Sequence, residues 1–255
     1  MVICRMCQCE SISLQKSHII PKMFFNVIKK NSPTGFMREI TDPNHRIQDG
    51  LKIPFLCKNC EELFSKYETY FSNEIYTKTV ENKGEICFDS KDAKISYFLL
   101  SIAWRVIQFT IENEKTTFTS NEMEKIYEIV EKWRVLLHNE DLKEIQKIQQ
   151  FIIPTKNLKF FQTIQRRIWD NVMIDFSTYD EENTFKFAFT IVQVPYFIFI
   201  TTVWGHTDTM KQYKLGGEIK PRKSELPQNI TKLLENKFVT EFLKSYERLT
   251  EKQKK

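Results

Sequence analysis

The chain has 255 residues, of which 41% are hydrophobic and 13% aromatic, and its formal net charge is +5 at pH 7. This composition is typical of a globular protein and excludes a disordered chain, and the length allows one ordinary domain plus a smaller one. The positive charge is modest and lies mostly toward the two ends, so charge alone does not identify a partner.

Two Cys-x-x-Cys pairs, Cys4 with Cys7 and Cys57 with Cys60, have the spacing of a structural zinc site. Each two-residue gap lets both thiolates of a pair reach one tetrahedral ion at about 2.3 Å. A redox pair would need a thioredoxin-like βαβ context, which this region lacks. We therefore predict a structural Zn²⁺ held by the four cysteines. Because four ligands close the tetrahedron, any reaction must occur elsewhere.

The segment between the two pairs carries a histidine at the end of a short predicted strand. His18 stands before Ile19 and Ile20, and Pro21 ends the strand because it has no N–H to donate. Turn signals up to Gly50 predict a helix-and-loop insertion, followed by a second short strand that runs into the second cysteine pair. Helical spacing then begins at about Glu61.

This order of motifs resembles the zinc-stabilised HNH endonucleases, whose catalytic unit is a ββα-metal finger. The resemblance covers about residues 1–75: a Cys-x-x-Cys pair, a His-Ile-Ile-Pro strand and a Leu-Cys-x-x-Cys pair that precedes a metal-ligand position. It implies phosphodiester hydrolysis with one divalent metal ion, Mg²⁺ or Mn²⁺. His18 would act as the general base that takes a proton from water. The resemblance also implies nucleic acid as substrate, double-stranded DNA before RNA.

The sequence departs from the family pattern at three positions. The aspartate ligand that usually precedes the histidine is replaced by Ser17, a poor substitute. The histidine ligand that usually opens the helix is replaced by Glu61, whose carboxylate suits a hard divalent cation. The usual middle asparagine falls on Lys52, so Asn44 or His45 would have to replace it from the loop.

Basic residues on the insertion are the expected contacts to the phosphate backbone, without base reading. They are Lys22, Lys29, Lys30 and Arg46. A basic first segment and a basic C-terminal tail would together release counterions from one duplex. The alternative is that lysine-rich segments only provide a solvated surface.

The remaining sequence predicts helices, then a small sheet, then a final helix. Residues 75–90 are expected to be a connector. Helices are expected at 95–111, after the capping box Thr119-Ser120-Asn121-Glu122, and from about Glu140 to Ile152. Alternation predicts a strand over 167–177 and two strands within 185–204, and a last helix starts near Gln228.

We therefore predict an α+β fold with two domains. Residues 1–80 would form the zinc-bound ββα-metal finger, and 81–255 an α+β domain with a helical segment, a small antiparallel sheet and a C-terminal helix. Residues 90–255 would bind a protein partner or a second copy, as in an effector of a defence or mobile-element system. The start Met1-Val2-Ile3-Cys4 lacks a signal peptide, and Arg105 interrupts the most apolar helix, so we expect a cytoplasmic protein without a membrane span.

A different class of function fits the same residues. The N-terminal unit would be a catalytically inactive zinc module that binds nucleic acid or a protein, and Ser17 and Glu61 would mark a lost metal site. On that reading His18 bonds a backbone carbonyl, Glu61 complements the helix dipole, and Glu68 is a solvated residue rather than an accessory ligand. Cys9 and Cys87 are expected to be spare thiols.

Overall fold

A computed structural model shows eight α-helices and ten β-strands among the residues it describes. These residues are 1–32, 34–85, 88–113, 118–158, 171–181, 185–205, 207, 210–217, 226 and 228–250. The helices are α1 (Lys22–Asn31), α2 (Lys58–Phe71), α3 (Thr77–Glu81), α4 (Ala93–Asn113), α5 (Ser120–His138), α6 (Leu142–Ile145), α7 (Gln228–Leu233) and α8 (Thr240–Glu247). The strands are β1 (Val2–Ile3), β2 (Glu10–Ser11), β3 (Gln15–His18), β4 (Met37–Arg38), β5 (Arg46–Ile47), β6 (Lys52–Leu56), β7 (Gln150–Pro154), β8 (Met173–Glu181), β9 (Phe185–Val194) and β10 (Phe197–Trp204).

The N-terminal unit is a two-stranded hairpin followed directly by a helix. Strand β3 pairs antiparallel with β6, and His18, its last residue, lies opposite Lys52. Helix α2 starts right after β6, with Cys57 as its N-cap residue. The predicted strand that ends before Pro21, and the second strand running into the cysteine pair, are both confirmed.

Helix α2 continues beyond the predicted site. A π-helical turn (Ser72–Tyr76) joins it to α3, so the expected connector at 75–90 is helical through Glu81. The side chains of Ile75 and Tyr76 are buried in the core, and this burial holds the chain in a helix where its sequence shows little periodicity.

A four-stranded antiparallel sheet with the order β7-β10-β9-β8 forms the centre of the second half. Strands β9 and β10 are joined by a tight turn in which Tyr196 has a φ of 74°. One face of the sheet packs against α4, and the other against the helical segment that begins with α7. The predicted small antiparallel sheet is therefore confirmed, within a mixed α+β fold.

The predicted helix from about Glu140 to Ile152 is wrong over most of its length. Only α6 is helical there, and β7 follows and pairs with β10. Every residue of β7 is buried. A continuous apolar run that is buried on both sides has no alternation, and so does not distinguish a strand from a helix.

The other helices agree with the sequence patterns. Helix α5 opens with the predicted capping box, in which Thr119 and Glu122 bond to each other's backbone N–H. Among the described helices, none combines the length and the apolar character that crossing a membrane requires. Two predictions fall outside the described residues: the first part of the predicted strand, 167–170, and the spare thiol Cys87.

Helix α4 packs against both the N-terminal unit and the sheet. Its buried arginine, Arg105, connects it to the N-terminal unit. The side chain of Arg105 is 2% exposed, and its Nη1 donates to the backbone carbonyl of His18 at 2.8 Å. The same nitrogen lies 2.8 Å from Glu68 Oε1 on α2. Aromatic packing reinforces this junction, since the Phe71 and Phe98 rings stack at 4.0 Å. Arg105 thus fixes β3 and α2 relative to α4.

We predict that Arg105→Met lowers the free energy of unfolding by about 3 kcal/mol, because it leaves Glu68 without its buried cationic partner. Lys147→Met is the matched control, since the pair of Lys147 with Glu144 is exposed, and its effect should stay within about 0.5 kcal/mol. Urea unfolding of both variants measures the difference. Equal effects would show that the Arg105 contact is not important for stability.

Candidate metal centre and hydrolytic site

Four sulfur atoms converge near the N-terminus, those of Cys4, Cys7, Cys57 and Cys60, all within 4.8 Å of one another. The Cys7 and Cys57 sulfurs are 3.7 Å apart, close to the edge of about 3.8 Å expected for four thiolates around one zinc ion. Among the described residues this is the only cluster of three or more cysteine, histidine or acidic side chains that could hold a metal ion. The predicted convergence of the two cysteine pairs is confirmed, and the four cysteines could hold a metal ion such as zinc.

Local backbone structure places each cysteine pair. In the first pair, the N–H of Gln8 donates to the Cys4 carbonyl at 3.0 Å, and Gln8 takes a φ of 58° that closes a tight turn. In the second pair, Cys57 precedes α2 and Cys60 lies in its first turn. The N–H of Cys57 donates to the Cys4 sulfur at 3.2 Å, so the two turns are joined at the cluster itself.

The pKa values of Cys4 and Cys60 are shifted in opposite directions. Burial by itself raises the pKa of Cys4, but hydrogen bonds from backbone N–H groups, first that of Cys57, lower it to about 7. Burial raises the pKa of Cys60 above its ordinary range. A divalent cation would stabilise buried thiolates of this kind, because its positive charge balances their negative charge. The cluster therefore fits a tetrahedral thiophilic metal.

We predict that the purified protein carries one metal ion per chain and that Cys60→Ser loses it and lowers the melting temperature. Cys9→Ser is the matched control, because Cys9 is exposed, lies outside the cluster and should leave the metal content unchanged. Elemental analysis of both variants after dialysis measures the metal. Full metal content in Cys60→Ser would contradict the four-cysteine centre.

His18 is held by an acidic residue on the loop that enters β6. Its Nε2 lies 2.8 Å from Asp49 Oδ1, and Asp49 Oδ2 lies 2.5 Å from Lys52 Nζ. Burial raises the pKa of Asp49, but the hydrogen bonds from Lys52 and His18 outweigh it and hold the pKa well below its usual range. Asp49 is therefore an anion, and the His18 tautomer with a proton on Nε2 is favoured.

The other imidazole nitrogen of His18 is available. Among the described residues Nδ1 makes no hydrogen bond, and the side chain remains 16% exposed. The ring stacks on Phe25, with centroids 6.4 Å apart. Phe25 in turn packs on the backbone of Gly50, where an added Cβ would lie 2.1 Å from the Phe25 ring. Glycine at position 50 is therefore what lets the Asp49 loop close onto this ring.

Ser17 and Glu61 are brought together. Ser17 is fully buried, and its hydroxyl donates to Glu61 Oε2 at 2.5 Å. Glu61 lies in the first turn of α2, where the helix dipole favours a carboxylate. The protein thus offers one carboxylate and one hydroxyl at this point. One oxygen of this carboxylate is already taken by the Ser17 hydroxyl, so Glu61 Oε1 is the oxygen that a hard cation would contact first.

The remaining candidate residues have other contacts. Glu68 forms the ion pair with Arg105 described above, so its charge is already balanced. The Asn44 amide donates to the backbone carbonyl of Arg248 at 3.4 Å, and His45 is exposed in a turn. Neither of the two forms a hydrogen bond with His18 among the described residues, and the residue that does is Asp49.

The predicted phosphate contacts are of two kinds. Lys22 and Lys30 are exposed at opposite ends of α1. Lys29 donates to the Gln48 carbonyl at 3.0 Å, and the Arg46 guanidinium lies 5.4 Å from the centre of the Phe36 ring. Lys22 and Lys30 are therefore open to solvent, while Lys29 and Arg46 form contacts within the insertion.

Sequence reasoning missed Asp49, although a signal for it exists. The segment Gln48-Asp49-Gly50 was interpreted only as a turn. However, in an antiparallel hairpin the residues just before the second strand lie beside the end of the first. Because β3 ends at His18, an acidic residue three positions before β6 had to lie near the imidazole.

Searches against protein-family models, curated proteins and solved structures return no match to this chain. The function is therefore argued from the contacts and charges of the site. The likeness to HNH endonucleases stays a prediction from the motifs of residues 1–75.

Proposed function

We propose that the N-terminal unit is a metal-dependent endonuclease of the HNH type that hydrolyses phosphodiester bonds, with DNA as the substrate. The observation that supports it is the environment of His18. This histidine ends a strand of the hairpin, its Nε2 is held by an anionic Asp49, and its Nδ1 is left with no protein partner among the described residues. A fixed imidazole with one free nitrogen is the arrangement that a general base requires.

In the proposed reaction, His18 Nδ1 accepts the proton of the attacking water. Asp49 fixes the ring orientation and balances the positive charge that forms on the imidazolium. Lys52 keeps Asp49 anionic through its contact with Oδ2. The backbone of His18 is fixed separately, by the hydrogen bond from Arg105. The base is therefore held at both its ring and its main chain.

Glu61 is the residue that would hold the divalent cation, Mg²⁺ or Mn²⁺, with Ser17 as an accessory residue that orients its carboxylate. When bound, such a cation supplies stabilisation of the negative charge on the phosphate and the leaving oxygen. Zn²⁺ at the four cysteines has a structural role in this proposal, because it joins the N-terminal turn to the start of α2 and so sets where Glu61 lies.

Duplex DNA is the proposed partner of the insertion, through Lys22 and Lys30 on α1. The second half of the chain is proposed to select a protein partner or a second copy, as an effector of a defence or mobile-element system would.

We predict that zinc-loaded protein nicks plasmid DNA with Mg²⁺ or Mn²⁺ but not with EDTA. His18→Ala should lower the rate by at least about 10²-fold, because the water loses its base. His45→Ala is the matched control, an exposed histidine of the insertion whose loss should leave cleavage intact. Equal cleavage by wild type and His18→Ala would exclude His18 as the base.

We further predict that Asp49→Asn lowers the cleavage rate constant by roughly tenfold or more, since an amide can hold the ring but cannot balance the imidazolium charge. Asp42→Asn, an exposed aspartate of the insertion, is the control. Rates at saturating plasmid, together with affinity for an uncleaved duplex, separate chemistry from binding. A change in affinity with an unchanged rate constant would assign Asp49 to binding instead.

A second candidate function follows from the contact between Ser17 and Glu61. Successive residues of a strand point to opposite faces, so Ser17 faces α2 while His18 faces Asp49 and Phe25. A hydroxyl that already occupies Glu61 supports an inactive zinc module that binds nucleic acid or a protein. Duplex binding without cleavage, under every metal condition, favours this function over hydrolysis.

A further inference from the structure

A cavity of about 760 Å³ lies between the insertion of the N-terminal unit and the C-terminal part of the chain. Aliphatic and aromatic side chains from α1, β4, β5, β8 and α8 line most of it. Those that define its opposing walls are Ile28, Phe36, Met37, Ile174 and Phe242. The metal centre lies outside this cavity, and of the residues proposed for hydrolysis Asp49 and Lys52 line it. Its volume and apolar lining are those of a small-molecule site, for which about 300–1,000 Å³ is typical.

One buried polar group lines the cavity without a partner. Ser245 on α8 is only 7% exposed, and its hydroxyl makes no hydrogen bond within the described part of the chain. Its oxygen is not among the fully buried, unpartnered side-chain atoms of the described residues, so it is open to the cavity and can bond to water or to a ligand there.

Most charges along the cavity wall are paired or exposed. Asp49 and Lys52 pair with each other, and Glu39 is exposed to solvent. Arg38 is half-buried and donates to the Pro43 carbonyl at 2.8 Å, but within the described part of the chain it forms no ion pair. Four aromatic rings, by contrast, border the space, and rings of this kind favour stacked or edge-to-face contact with another ring system. These are Phe25, Phe36, Phe242 and Tyr246.

We propose that this cavity binds a planar aromatic molecule of drug size that forms a hydrogen bond with the Ser245 hydroxyl. The site is separate from the proposed hydrolytic site but shares a wall with it. Phe25 stacks on His18, and Asp49 bonds to the His18 ring, while both also line the cavity. A molecule bound there touches the residues that orient His18.

The two sides of the cavity are joined by the end of α8. Arg248 Nη2 donates to the Ile40 carbonyl at 2.7 Å, and its Nη1 donates to the Thr41 carbonyl at 3.2 Å. These hydrogen bonds hold the insertion loop against the C-terminal helix, so both contribute walls to the same cavity. A ligand between them contacts the insertion and the C-terminal helix at once.

Prodan is a suitable probe, because it is neutral and planar, carries one carbonyl acceptor, and its emission shifts to the blue in an apolar site. We expect saturable binding by the full-length protein with one prodan per chain. Ser245→Phe and Ile28→Phe place a ring in the cavity from opposite walls and should each weaken binding by about tenfold or more. Leu243→Phe is the control, since Leu243 lies on the same helix as Ser245, is 46% exposed and does not line the cavity.

The second measurement is the imidazole NMR spectrum with and without saturating prodan, in wild type and Leu243→Phe. We expect the His18 resonances to move in both, because Phe25 and Asp49 contact the probe and the ring. No saturable binding in wild type, or undiminished binding in both folded cavity variants, would overturn the site. An unchanged His18 spectrum at saturation would overturn the coupling. Neither measurement uses nucleic acid, so a failure here is distinguishable from a failure of the proposed nuclease.

Discussion

The structure depends on how a single buried arginine is neutralised. Arg105 carries a positive charge into the middle of a largely apolar helix. Among the described residues it contacts the Glu68 carboxylate, the His18 carbonyl and Ser101, and its guanidinium lies 5.1 Å from the centre of the Phe64 ring. A buried charge tolerates little displacement of its partners, because an unpaired ion in the interior is strongly unfavourable. The hairpin, α2 and α4 are therefore held in one arrangement, and that arrangement places His18 and Glu61 on elements that pack against a common helix.

The four-cysteine centre adds a second constraint at the other end of α2. It joins a turn near the N-terminus to the residue that caps the helix, so the first turn of α2 is anchored through sulfur and the middle of the helix through Glu68. Glu61 lies between these two anchors. Short hairpins and single helices have little stability of their own, and here they share two buried apolar clusters with α4, to which the buried ion pair adds.

The parts of the fold with local signals could be predicted from sequence, and the parts set by distant contacts could not. Cysteine spacing predicted the convergence of Cys4, Cys7, Cys57 and Cys60, and Pro21 and the capping box at Thr119 marked element ends. The prediction of a helix where β7 lies is wrong. A strand that is buried on both faces shows no alternation of apolar and polar residues, so its sequence does not distinguish it from a helix. Asp49 and Arg105 were missed as site residues, since their importance lies in partners 31 and 87 positions away.

The most direct test of the proposed hydrolysis is Mn²⁺-dependent cleavage of a duplex oligonucleotide by wild type and Glu61→Gln, both loaded with the same amount of zinc. Glutamine keeps the shape of the side chain and can still bond to Ser17, but it removes the carboxylate that would hold a hard cation. The account predicts cleavage by wild type and a loss of at least about 10²-fold in Glu61→Gln. Equal rates in the two proteins, or no cleavage by zinc-loaded wild type, would contradict it.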